Sequence, residues 1–164
     1  MPRIAFLDFE ASGLDDDHSY PIEVGFALST GGPAQARLIR PQPDWTYWDP
    51  NAEAMHGLSR EFLFTEGAPA TDFVAWLRAH LSDIPIQVGA AEDVLWFRRL
   101  IRAADSDWAP RLDDAEALIQ ATAFRGYKNL ADLRREMCRR YGAPHRAGPD
   151  AARLRDLYRA ACRR

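Results

Sequence analysis

"FLDFEASGL", residues 6–14, closes the first strand-like run of the chain. Side chains alternate across a strand. Ile4, Phe6, Asp8 and Glu10 therefore share one face, and Ala5, Leu7 and Phe9 share the other. Both faces are apolar up to Asp8, the pattern of a strand in the middle of a sheet. Asp8 and Glu10 then stand on one face near the strand's end, about 7 Å apart along it. Like charges there repel and lose hydration. A divalent cation relieves both penalties, because hard cations take carboxylate oxygens. Alternatively the strand has already emerged into solvent at Asp8, and an Asp-x-Glu pair alone does not decide between the two.

Two more strands follow, "IEVGFAL" at 22–28 and "ARLIR" at 36–40, and the "STGGP" between them favours an antiparallel hairpin. Residues 41–50, "PQPDWTYWDP", hold three prolines and exclude regular structure. Trp45, Tyr47 and Trp48 are expected to pack this loop onto the sheet, with stacking on nucleobases as the other use of such rings. A short helix over 51–56 stops at Gly57. A helix over 70–81 places Phe73, Trp76, Leu77 and Leu81 on one face. "IPIQVG" at 84–89 reads as a buried strand and 91–104 as a helix, with an extended piece around Leu112. Helices are expected over 114–123, over 129–141 between Asn129 and the stop signals Gly142 and Pro144, and over 149–163 with Pro149 in the first turn. A hairpin followed by crossovers predicts an α/β fold: a mixed central sheet with an N-terminal antiparallel hairpin, covered by helices. No Pro- or Gly-rich linker divides the chain, so a single domain over 1–164 is expected.

The totals narrow the function classes. Apolar residues make up 47% and charged residues 27% of 164, as in an ordinary soluble globule. No apolar run reaches the roughly 18 residues of a membrane span, and the N-terminus lacks a leader pattern. Cys138 and Cys162 are too few for a disulfide framework or a zinc cluster; they read as partly buried free thiols, and a cytoplasmic location is expected. The net charge of −3 conceals an asymmetry, 5 basic against 12 acidic residues in 1–82 and 16 against 12 in 83–164. All basic residues but one are Arg, which suits phosphate contact, but solvated helix faces give the same balance.

Two helices repeat the anomaly of the first strand. Asp93 stands three and four residues before Trp96 and Phe97, on the stripe completed by Leu100 and Ala104. Asp150 stands four before Leu154 and seven before Leu157, heading the stripe of Leu154, Leu157, Tyr158 and Ala161. A first-turn acid also serves as a cap or dipole partner. His145, in "GAPHRAGPD", falls in a loop between two prolines, where a plain surface residue is the alternative. If the four acids converge, the site is oxygen-only and suits Mg²⁺ or Mn²⁺ rather than zinc. Paired ions of that kind perform in-line phosphodiester chemistry.

Three segments, in this order, resemble the motifs of the DEDDh family of 3′→5′ exonucleases, on the ribonuclease H-like fold. They are "FLDFEASGL", "VGAAEDVLWF" at 88–97 and "HRAGPDAARL" at 145–154; "YPIEVGFAL" at 20–28 and "AMHGLSRE" at 54–61 resemble the segments between the first two. The resemblance implies two ions, Mg²⁺ or Mn²⁺, held by Asp8, Glu10, Asp93 and Asp150, with Asp8 bridging them. It implies His145 as general base. It implies that Ala11, Ser12, Gly13 and Leu14 hold the terminal nucleotide, with Leu14 as a wedge against the last bases and His56 as a further substrate contact. The substrate would be the 3′ end of single-stranded DNA or RNA, the product a nucleoside 5′-monophosphate. A homodimer fits several members of the family. The second motif departs from the pattern: Val88, Gly89 and Glu92 replace the usual His-Asn and aromatic, which leaves substrate preference open. "GP" at 148–149 is also unusual. Two other readings stay open: a catalytically silent nucleic-acid-binding module on the same fold, and a metal-dependent phosphohydrolase of small nucleotides.

Overall fold

β1 (Ala5–Ala11) lies in the middle of a five-stranded sheet ordered β3-β2-β1-β4-β5. The computed structural model describes residues 1–126, 128–142 and 145–163. β2 (Pro21–Leu28) pairs antiparallel with β1, and β3 (Gln35–Leu38) antiparallel with β2. On the other side β4 (Ile86–Val88) and β5 (Leu112–Asp114) run parallel. The mixed sheet with its antiparallel start is the architecture the sequence predicts. At the end of the β1–β2 ladder the register slips: Glu10 faces Glu23, but Ala11 faces Pro21, so Ile22 is the extra residue of a bulge.

Helices cover both faces, as the two apolar sides of β1 require. Ala5, Leu7 and Phe9 pack in one core with Phe73 and Leu77 of α3 (Ala70–Leu81) and with Trp96, Phe97 and Leu100 of α4 (Ala91–Ala103). Ile4 and Phe6 pack on the other side with α5 (Ala115–Arg125), α6 (Leu130–Tyr141) and α7 (Ala147–Cys162). There the Phe6 and Tyr158 rings lie 5.3 Å apart. Asp8 and Glu10 continue the Phe6 face toward α7.

Local signals set most boundaries. α1 (Pro50–His56) starts on the Asp49 cap, which accepts the N–H of Asn51, and ends at Gly57 in the left-handed region. Asn129 caps α6 by accepting the N–H groups of Ala131 and Asp132, and Gly142 closes it; Pro144 lies outside the described residues. α7 begins at Ala147, two residues earlier than its proline suggests. α2 (Arg60–Glu66) escapes the sequence pattern. Only Leu63 of it is buried, while Phe62 and Phe64 are exposed, so it carries no apolar stripe. Its one clear mark is the Ser59 cap, accepting the N–H of Phe62. Cys138 is exposed rather than partly buried, because α6 turns only Met137 fully inward. The aromatic loop packs as expected: Trp45 is buried and stacks on Tyr20 at 5.1 Å, with Arg60 donating to the Trp45 carbonyl.

Candidate active site

β4 ends opposite Leu7 of the parallel strand β1, which runs on to Ala11, and the first turns of α4 and α7 lie at that end. Asp8 and Glu10 come from β1. Asp150 comes from the first turns of α7. One oxygen of each lies within 4.8 Å of the others. Asp93, 4% exposed, stands beside this trio at the start of α4. Its Oδ2 accepts the N–H groups of Gly89 (3.0 Å) and Ala90 (2.9 Å), a reach back to the cap that fixes the carboxylate. A Cβ on Gly89 would lie 3.5 Å from Asp8 Oδ1 and 3.7 Å from Asp93 Oδ2, so both acids border the same small space. It would also meet Leu154 at 3.0 Å, so this motif position has no room for a polar side chain without a shift of Leu154.

Crowding of charge dominates the electrostatics. Burial, then the Asp93, Asp150 and Glu10 charges, hold the Asp8 carboxyl well above the usual range. Burial, then Asp150 and Glu23, push Glu10 up to about 7. Burial pushes Asp93 up to about 7 against the pull of its backbone N–H donors. Arg153, 3.1 Å from Asp150 Oδ1, is the cation that opposes the rise at Asp8. Carboxylates that repel one another with so little compensation form a donor set suited to a hard divalent cation.

A cleft of about 290 Å³ opens from Asp8, Glu10 and Asp93. Ala11, Gly13, Leu14, His56 and Glu92 line it, with Leu14 83% exposed. Ser12 does not line it. Its side chain is fully buried, the hydroxyl accepting the Tyr20 N–H and the carbonyl accepting the Asp49 N–H, so it braces the loop from behind. Gly13 answers a packing need: a Cβ there would fall 2.7 Å from the Tyr47 ring. His56 is 5% exposed, and burial lowers its pKa. Its Nδ1 accepts the Leu58 N–H, so the proton sits on Nε2, which is buried and has no partner among the described residues. His145 is exposed at φ +39°, immediately before the Arg146 cap of α7.

Sequence reading passes over Glu23 and Arg146. Arg146 donates twice to Glu23, at 2.9 and 2.7 Å, beside the acid trio. The available signal is a single acid in the otherwise apolar strand "PIEVGFAL".

No family model matches the chain, and no curated protein does. Solved structures do. E. coli Exonuclease I in complex with a dT13 oligonucleotide is similar with a TM-score of 0.70 over 98% of this chain and 40% of that chain, at 15% identity. A product-bound structure of exonuclease I gives 0.65 over 98% and 46%, also at 15%. The zinc-ion-bound form of the E. coli ExoI–ssDNA complex gives 0.64 over 98% and 39%, at 15%. The chain thus spans less than half the length of these neighbours. Its five-stranded mixed sheet with helices on both faces matches the ribonuclease H-like fold of these neighbours.

Proposed function

We propose that the chain is a metal-dependent 3′→5′ exonuclease that removes nucleotides one at a time from a single strand, releasing nucleoside 5′-monophosphates. The observation that carries this reading is the gathering of Asp8, Glu10 and Asp150, from opposite ends of the chain, within one ligand-sized cluster. Asp93 completes a set of oxygen donors that would hold Mg²⁺ or Mn²⁺. Bound divalent cations would supply an acidified water and charge stabilisation at the scissile phosphate.

The chain's own residues do the rest. The His145 imidazole takes the proton of the attacking water, a general-base role worth about 10²–10⁴-fold. His56 Nε2–H, buried on the cleft wall, donates to an oxygen of the terminal nucleotide. Leu14 projects at the cleft and wedges against the last bases, while Ala11 and Gly13 offer backbone beside them. The neighbours of known structure hold single-stranded DNA, which supports DNA as the first substrate to try.

Matched DNA and RNA oligomers labelled at the 3′ or the 5′ end provide the test. In Mg²⁺ the 3′ label should leave at once as mononucleotide while the 5′ label shortens as a ladder. EDTA or Asp8→Asn should stop both. Tight binding without cleavage would identify a silent binding module. Hydrolysis confined to mononucleotides would identify a small-nucleotide phosphohydrolase.

A further inference from the structure

Glu23 is 3% exposed on β2, directly opposite Glu10 in the register and on the face that carries Asp8. A buried acid beside other acids costs the fold stability unless it is paired. Both its oxygens are engaged. Oε2 accepts from Arg146 Nε (2.9 Å) and from the Ala147 N–H (3.1 Å), and Oε1 accepts from Arg146 Nη2 (2.7 Å). This two-pronged contact grips the cap and the first residue of α7. Two residues along β2, Gly25 makes the seat steric as well: a Cβ there would lie 2.3 Å from the Ala147 carbonyl.

The gripped segment carries the catalytic geometry. Asp150 sits one turn further on, its Oδ2 accepting the Arg146 N–H at 3.2 Å and its own N–H donating to the Arg146 carbonyl at 3.0 Å. His145 immediately precedes Arg146, with φ at +39°. We propose that Glu23 is a positioning residue for the metal centre: by holding Arg146 and the Ala147 N–H it fixes the start of α7, so that Asp150 stands with Asp8 and Glu10. With its oxygens committed to α7, Glu23 is not itself a ligand. This inference rests on the metal-centre reading above.

Glu23→Gln keeps the shape and an acceptor for Ala147 but loses the charged fork. Mn²⁺ affinity is measured by calorimetry on the full chain without nucleic acid, with thermal unfolding as the check on folding. Supporting residues of this kind typically contribute 10–100-fold to metal affinity, so a loss of about that size is expected. Turnover should fall at low Mn²⁺ and recover as Mn²⁺ rises, with KM for the oligonucleotide within about twofold. Arg146→Gln should show the same loss, and the double variant should be no worse than the poorer single one. If Glu23→Gln does not fold, Arg146→Gln alone carries the comparison. A folded variant with unchanged Mn²⁺ affinity overturns the proposal. Asp150→Asn, run in parallel, separates the two failures. If it also leaves affinity unchanged, the metal centre itself is wrong; if only Asp150→Asn weakens binding, the positioning role alone falls.

Discussion

His56 illustrates how much a single proton can settle. Because Nδ1 accepts the Leu58 N–H, the neutral ring carries its one hydrogen on Nε2, a buried atom of a residue that lines the cleft. An unmade hydrogen bond of this kind costs about 1–1.5 kcal/mol, so His56→Ala should raise KM for the oligonucleotide roughly tenfold and leave kcat nearly unchanged. His56→Gln, which retains a donor, should recover part of the loss; equal KM in all three proteins would remove His56 from substrate contact. The acids carry a second prediction. Between their ordinary values near 4 and about 7, Glu10 and Asp93 keep protons in the folded chain that the unfolded chain has released. Protons held by the folded state alone mean that stability falls as pH rises through that window. Without divalent ions, the thermal midpoint should drop by about 5 °C or more from pH 5 to pH 8, given about 2–4 °C per kcal/mol for this size. Mn²⁺ added at pH 8 should restore it, and Asp8→Asn should flatten the slope. A metal-free midpoint that climbs over the same interval would contradict the charge crowding.

At the scale of elements, the decisive contact is that of α7 on β2. Gly25 leaves no space between the strand and the first turn of the helix. Gly25→Ala must push that turn away, with a cost of about 1–3 kcal/mol for an overpacked contact. The displacement also carries Asp150 from its partners, so urea unfolding should show the lost stability and calorimetry a weaker Mn²⁺ site in the same variant. Gly148 faces β3 less tightly, 3.2 Å from Ala36 Cβ, so Gly148→Ala should cost less than Gly25→Ala. The reverse order would place the tight contact elsewhere. Elements with a clean period were legible from sequence: the strand faces of β1, the stripes of α3, α4 and α7, and the Asn129 cap. α2 was not, because one buried leucine makes no period. Neither was the Glu23–Arg146 pair, because its partners lie far apart in sequence and meet only once α7 lands on the sheet.

Over the whole molecule, part of the arginine surplus of the second half is held in pairs among the described residues. Arg134 pairs with Glu116, Arg135 with Asp132, Arg140 and Arg155 with Asp156, and Arg153 with Asp150. Arg99 is spent on the carbonyls of Asp16 and Asp17. Arginines held in this way should add little to the salt dependence of single-strand binding. Each neutralised phosphate contributes about 0.7 to the log–log slope, so a slope of about −2 or shallower is expected, read by anisotropy with Asp8→Asn. A slope near −5 would mean that the pairs open to receive phosphate. The fold and the faces of β1, α4 and α7 that carry the four acids could be read from local pattern, whereas the use of the arginines could not, since pairing depends on which helices become neighbours.

The bulge at Ile22 has an evolutionary corollary. It absorbs one residue of length at the open end of the β1–β2 ladder, between the excursion over 12–20 and the rungs Glu10–Glu23 and Asp8–Gly25. Mutational drift can thus resize that excursion while the rungs keep their partners. An insertion between Asp8 and Glu10 has no such buffer, and would send the two acids to opposite sides of the sheet.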